Sequence, residues 1–318
     1  MLPRFVVLSV ALLLALAPSL LPAQAVRSLE GHHGAVTALG FRADGRRLAS
    51  ASFDRTVKVW DVVESRLLFT CRGHADKVTA VAWRPDGKVL ASAALDHTIR
   101  LWNAETGRRR MWLLSEECCI QALAFSLDGT RLFCAGESGD VAIWDLGTGR
   151  VVKTIRASSA PLFTLVLSPD GNSLAAAGQD GVVRLFDTDS GKLLHSLDGH
   201  RDGVYSLGFS PDGAFLVSGS EDCTVRRWEI RTEKELACLY GHDDAVYQVG
   251  FSIDGRRILS AGTDGQVLVR DAGSGVTLFS HRFPSKPLCA ALTPDGRQLC
   301  TGTGRALCYL LELPHRAW

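Results

Sequence analysis

An all-β fold of seven small, four-stranded antiparallel sheets set around a common axis is predicted, and three observations predict it. Short marker dipeptides recur with a single step. Gly-His begins at Gly31, Gly73, Gly199 and Gly241, and Asp-Gly at Asp44, Asp86, Asp128, Asp170, Asp212 and Asp254, spaced by 42 residues or a multiple of 42. Within a unit the apolar residues alternate with period two, the pattern of half-buried strands rather than of helices. The chain has 318 residues, 46% of them hydrophobic, which is enough to bury a large core. Four strands in about 42 residues, seven times over, make a radial array of sheets.

The second unit shows the elements in order. Lys77 to Trp83 (KVTAVAW) is an inner strand, Arg84 to Lys88 (RPDGK) a turn, and Val89 to Ala93 (VLASA) a second strand. Asp96-His97 turns the chain into a third strand, Thr98 to Trp102, and Asn103 to Gly107 (NAETG) leads to the outer strand Arg108 to Leu114 (RRRMWLL). A column at the end of the third strand reads Trp60, Trp102, Trp144, Phe186, Trp228, Arg270, so six units run without net insertion or deletion. The seventh is worn: its Pro-Asp-Gly at Pro294 arrives one residue early and no tryptophan follows.

Residues 1–25 differ from everything after them. Arg4 is their only charge, Phe5 to Ala17 is an apolar run, Pro18 breaks it, and Ala23 and Ala25 form an A-x-A site. This is the layout of a secretory signal, so cleavage after Ala25 and a secreted or periplasmic mature chain are expected. The rival reading is an uncleaved membrane anchor over residues 5–21, which Pro18 makes poor for a spanning helix. The mature fold is expected to run over residues 26–312, with 313–318 as a C-terminal tail.

The recurring Gly-His, the Ser-Pro-Asp-Gly turn and its variants, and D-x-T-V/I-x-x-W-D together resemble the WD40 repeat family. The resemblance extends from Val26 to about Glu312. It implies a seven-bladed β-propeller of four-stranded antiparallel blades, its ring closed by the N-terminal strand. The sequence carries its own sign of that closure: AVRSLEGH, ending at His32, aligns with LLHSLDGH, the outer strand before the fifth unit. Val26 to Glu30 is therefore expected to pair beside Leu307 to Glu312, burying Val26 and Leu29 and covering an edge that would otherwise recruit other chains.

His32, Ser50 and Asp54 invite a hydrolase reading, but the same columns return as His74, Ser92, Asp96, as His200, Ser218, Asp222, and as His242, Ser260, Asp264. Four sets on one step are architecture. The resemblance implies that each is a buried hydrogen-bond chain ending on an indole, here Trp60, Trp102 and Trp228. The columns are expected to fail together: the third unit has Glu116, Cys134 and Ser138, the fourth keeps only Asp180, and the sixth has Arg270 for the tryptophan.

Other chemistry is sparsely signalled. A net charge of +1 argues against a nucleic-acid footprint. The nine cysteines show no C-x-x-C spacing, so no zinc is expected; Cys71, Cys134, Cys238, Cys289, Cys300 and Cys308 fall in apolar strand patterns and read as small buried hydrophobes. GTGRAL at Gly302 lacks the strand-turn-helix context of a dinucleotide site. No cofactor is expected.

The resemblance implies that the face holding the Gly-His loops and the Asp turns is a docking surface. Two columns lie there. One follows the first core residue of each inner strand: Thr37, Thr79, Gln121, Phe163, Tyr205, Tyr247 and about Leu288. The other precedes the turn aspartate: Phe53, Leu95, Glu137, Gln179, Glu221, Thr263. Three successive aromatics, Phe163, Tyr205 and Tyr247, are expected to stand exposed as contact residues, with packing sideways between blades as the alternative. The leading functional expectation is a monomeric, non-catalytic protein-interaction scaffold with a protein or peptide partner. The competing ones are a propeller enzyme or small-ligand sensor with a channel site, and a regulatory ring serving a separate enzyme.

Overall fold

The computed structural model describes residues 26–114, 119–283 and 286–313. The leader, Glu116, Cys118 and the tail from residue 314 lie outside the described residues. Twenty-eight strands form seven four-stranded antiparallel sheets, and the fold is a seven-bladed propeller. In blade one the order from the axis outward is Val36–Phe41, Arg47–Ser52, Val57–Asp61 and Arg66–Cys71. Five further blades repeat that order.

The second strand of each blade explains why the sheets can pack face to face. It is rich in Ala, Ser, Cys and Gly, and nearly all of its residues are buried, as in Arg47–Ser52, Val89–Ala94 and Ser173–Gly178. Neighbouring blades cover both faces of this strand, so small side chains are needed where the sheets converge. Outer strands have one neighbour fewer and alternate exposed with half-buried positions, holding one anchor in the core: Leu29, Cys71, Leu113, Ile155 and Leu197 stand in one column and are buried.

Blade seven is assembled from both ends of the chain. Its strands Pro287–Leu292, Gln298–Thr303 and Cys308–Glu312 are completed by Val26–Leu29, which pairs antiparallel with Val26 opposite Leu311 and Leu29 opposite Cys308. Leu29 is 1% exposed, whereas Val26 is 41% exposed, so only one of the two residues expected in the core is there. The outer-strand alternation accounts for this, since Val26 lies three residues before the anchor and on the face turned to solvent. Arg27 fixes the strand from outside, donating to the Val63 carbonyl at 3.0 Å and lying 3.7 Å from Glu312. Across the seam with blade one, Gly302 lies so close to Val36 that a Cβ would come within 2.5 Å of its methyl, and Cys289 donates to the Val36 carbonyl. Leu313, expected in a tail, is instead buried against the core between blades six and seven.

The cysteines behave as packing residues. Cys71, Cys134, Cys289, Cys300 and Cys308 are buried; Cys238, expected with them, is only half-buried because it lies on an outer strand. Burial pushes the Cys71 thiol up to about 12 and raises Cys289 and Cys300 as well, keeping them protonated and poorly reactive.

A chain beginning at Gly31 is expected to lose about 1.5–3 kcal/mol from Leu29 burial alone, plus the strand pairing, and to associate through the bared edge. A chain beginning at Val26 should match any longer form. Thermal melting and size-exclusion chromatography decide it: equal melting and a monomeric Gly31 form would mean the strand does not hold the ring.

Candidate functional site

The sequence columns meet as four hydrogen-bond chains beneath one face, called here the upper face. In blade one, Trp60 Nε1 donates to Ser50 Oγ at 2.8 Å, Ser50 lies 2.7 Å from His32 Nε2, and His32 Nδ1 lies 2.8 Å from Asp54. With the indole restricted to donating, every atom is satisfied only if Ser50 donates to Nε2 and the neutral imidazole donates from Nδ1 to the carboxylate. Blade two repeats this through Trp102, Ser92, His74 and Asp96, and blade five through Trp228, Ser218, His200 and Asp222. The threonine of each D-x-T also belongs to the chain: Thr56, Thr98 and Thr224 each donate to their aspartate at 2.6 Å. Sequence reasoning left these threonines out, although they recur on the same step.

Blade six departs from the expected failure. Arg270 is 2% exposed and donates through Nη1 to Ser260 Oγ at 3.1 Å and through Nη2 to the Tyr240 carbonyl at 2.8 Å. A guanidinium can only donate, as an indole does, so the chain Arg270–Ser260–His242–Asp264 keeps its polarity with the last member replaced. The other two blades are shortened rather than emptied. In blade three Trp144 Nε1 lies 3.4 Å from Cys134 Sγ. In blade four Ser158 Oγ donates to Asp180 at 2.9 Å, while Ala176 and Phe186 fill the remaining sites with apolar volume. Blades three and four, which have lost several members at once, each keep a bond of the chain, whereas blade six keeps its chain with the end group exchanged.

Burial lowers the pKa of His32, His74, His200 and His242, against the opposing pull of their aspartates, so the imidazoles are neutral near pH 7. Burial works against ionisation of Asp54 and Asp222, but hydrogen bonds from threonine, histidine and backbone N–H outweigh it and hold both at about 2. Ser50, Ser92, Ser218 and Ser260 are fully buried, so none of these hydroxyls can meet a substrate. Among the described residues no group of three or more His, Cys, Asp or Glu is placed to hold a metal ion.

Above the chains the first surface column forms a belt around the channel mouth. Thr37 donates to the Val78 carbonyl at 2.6 Å and Thr79 to the Ile120 carbonyl, each reaching the next blade's inner strand. In blades four to six rings stand in the same column. Phe163 stacks on Tyr205 with centroids 5.1 Å apart, and Tyr205 on Tyr247 at 4.4 Å, both pairs within 16° of parallel. The three are half-buried rather than freely exposed, because they lean along the ring onto one another. The Tyr205 hydroxyl donates to Glu221 at 2.9 Å, and Gly203 lies under the Phe163 ring edge where a Cβ would come within 3.2 Å. In the second column Phe53 is 43% exposed with the Lys77 ammonium 4.8 Å above its ring, Leu95 is half-buried, and Glu137 and Glu221 are exposed.

Two outcomes follow from the buried chains. Asp222→Ala is expected to cost about 1–3 kcal/mol by unpairing buried groups, and Ser138→Ala much less, since Ser138 is exposed in a shortened chain; equal losses in denaturant melts would refute the network. The four histidine pKa values lie below 6.5 in the fold, so the unfolded chain binds more protons below that pH. Their stabilisation is full above about 6.5 and is lost as pH falls toward the lowered values, at up to about 1.4 kcal/mol per pH unit for each histidine. Melting temperature is expected to drop on acidification from pH ~7.5 to ~5, less steeply in His200→Gln; a flat profile would mean these imidazoles are charged in the fold.

Known proteins share these repeats. The family model described as WD domain, G-beta repeat matches residues 23–61, 65–103, 112–145, 191–229 and 233–271, and the model described as anaphase-promoting complex subunit 4 WD40 domain matches residues 161–209. A 46-residue stretch is 44% identical to the Notchless protein homolog of Arabidopsis thaliana, covering 14% of this chain and 10% of that protein. A 35-residue stretch is 51% identical to vegetative incompatibility protein HET-E-1 of Podospora anserina, covering 11% of this chain and 3% of that protein. A 39-residue stretch is 46% identical to the periodic tryptophan protein 2 homolog of Schizosaccharomyces pombe, covering 12% and 5%. Each match thus spans one repeat's worth of a much longer protein. With the repeat model matching more than half of its residues, and with seven four-stranded blades closed into a ring, the chain belongs to the WD40 repeat family.

Proposed function

We propose that the protein is a non-catalytic docking ring that binds another protein or a peptide across its upper face. The observation that carries this reading is the stack Phe163–Tyr205–Tyr247 at the channel mouth, capped by the Tyr205–Glu221 hydrogen bond. Rings already held by one another lose little freedom when a partner lands on them, and aromatic groups contribute strongly at interfaces. Burial of the four serine hydroxyls supports a non-catalytic role, since the one arrangement resembling a hydrolase triad is closed to substrates.

The proposed location is outside the cytoplasm, secreted or periplasmic, after cleavage behind Ala25. The basic start, apolar run and A-x-A site support it. Cleavage there would leave the closing strand Val26–Leu29 whole. N-terminal sequencing of exported material should find Val26 first; Met1 at the head of a membrane-bound chain would favour the anchor over residues 5–21.

Replacing Phe163, Tyr205 and Tyr247 with alanine is expected to weaken a partner captured from the native host by about 2 kcal/mol or more, roughly thirtyfold in Kd. Unchanged binding with a large drop in melting temperature would assign the rings to ring cohesion alone.

A further inference from the structure

The outer strand of blade two, Arg109–Leu114, departs from a pattern that the other six blades keep. One position of the outer strand pairs with the middle of the third strand: Thr70 with Lys58, Thr154 with Ala142, Ser196 with Arg184, Cys238 with Arg226, Ser280 with Leu268 and Ser28 with Tyr309. Six blades thus place a small side chain there. Blade two places Trp112, paired with Arg100, and its indole is 57% exposed. Two residues further on, the other blades hold Arg72, Arg156, Asp198, Tyr240, Arg282 and Glu30, and blade two holds Leu114 at 66% exposure. Two residues earlier the change runs the other way, from leucine or valine in six blades to Arg110. Trp60, Trp102, Trp144 and Trp228 are buried and Trp83 is half-buried, so Trp112 is the one described tryptophan left in solvent.

Charge accompanies the indole. Arg108, Arg109 and Arg110 are exposed, and none makes an ion pair among the described residues. Glu105, in the turn that leads to them, is held by Arg42 and Arg47 of blade one. Solvated arginines alone would need no explanation; beside an exposed indole they give the edge a chemical sign. Met111 and Leu113 turn inward against blade three, so Arg110, Trp112 and Leu114 stand outward on alternate residues. Blade two ends at this strand, which leaves one line of its backbone N–H and C=O groups open to another chain. The edge therefore offers a cationic end and an aromatic, aliphatic end at the two-residue step of a strand. A second copy of the same edge supplies no counter-charge: antiparallel it sets arginine beside leucine, and parallel it sets arginine beside arginine.

We propose that the outer edge of blade two is a strand-addition site for an extended acidic segment of a partner protein. The added segment pairs antiparallel with Arg109–Leu114, sets its carboxylates beside Arg108 and Arg110, and covers Trp112 and Leu114 with apolar side chains. This rim site lies apart from the upper face and does not rest on the docking role proposed there. Main-chain pairing supplies adhesion, and tryptophan and arginine are the residues that most often carry interface energy. The carboxylates select the partner and fix its register, as complementary charges do at interfaces. A membrane surface fits the rim less well, since it would meet several blades at once, and the neighbouring outer strands present Thr70 and Thr154 in the column of Trp112.

The full chain is to be titrated with a fluorescein-labelled peptide of alternating threonine and valine. Glutamates at its carboxyl end fall beside Arg108 and Arg110 when it pairs antiparallel. Two controls carry lysines for the glutamates, or N-methyl groups on alternate backbone nitrogens. The glutamate peptide is expected to bind about tenfold more tightly than either control and to slow amide hydrogen exchange across Arg109–Leu114. Arg108→Glu combined with Arg110→Glu is expected to reverse the preference toward the lysine peptide. Trp112→Thr, which installs the residue of blades one and three, should weaken the glutamate peptide about tenfold while the melting temperature holds, a split that a purely structural tryptophan would not give. Should Trp112→Thr melt lower, the charge-reversed variant decides by itself. No binding of the glutamate peptide, or equal binding of either control, overturns the site. Phosphatidylserine vesicles bound through Trp112 in place of the peptides overturn it in favour of a membrane, and a dimer that Trp112→Thr dissolves overturns it in favour of a second copy.

Discussion

A sheet edge must be paired, and this ring satisfies that demand for its last blade with four residues from the far end of the chain. Val26–Leu29 lies against Cys308–Glu312 and places Leu29 in the core. No single blade can bury its own faces, so each depends on the next, and the circuit depends on the seam being held. The seam is tight because Gly302 lets Val36 of blade one approach blade seven. A repeat that begins with the outer strand of one blade and ends with the third strand of the next links neighbours covalently at every step, and the closure extends that linkage across the join.

Within each blade a second constraint operates, that buried polar groups be satisfied in a consistent direction. The carboxylate at one end accepts, and the indole at the other donates, with serine and neutral histidine passing the polarity between them. Arg270 shows that direction matters more than the identity of the end group, since a guanidinium donates to Ser260 where an indole would. Blades three and four retreat along the same logic, replacing polar members by sulfur or by alanine and phenylalanine.

These constraints shape the upper face. Rigid blades fix the inner strands, so residues in one column are brought within stacking distance across three blades, and Tyr205 becomes the middle of a pile rather than an isolated ring. The face is also uneven in charge. Glu221 lies beside the stack in blade five, whereas Arg55, Lys58 and Arg72 gather at blade one. A partner crossing the ring would meet an aromatic, acidic sector and a basic sector on one surface.

Taken alone, the sequence determined everything that repeats. The 42-residue step, the period-two strands, the turns at Asp44 and its successors, and the four His-Ser-Asp sets were all legible, because a repeat displays the same local physics several times over and so separates architecture from accident. The closing strand was legible too, through the likeness of VRSLEGH to the outer strand before blade five. Tertiary structure alone decided what depends on neighbours. Burial of Leu29 without Val26 follows from which side of an outer strand the next blade covers. The service of Arg270 as a donor follows from the position of the Ser260 hydroxyl, and the half-burial of Phe163, Tyr205 and Tyr247 from their meeting across blade boundaries. Periodicity records what a chain does to itself locally; charge balance and packing are settled between segments that the sequence keeps far apart.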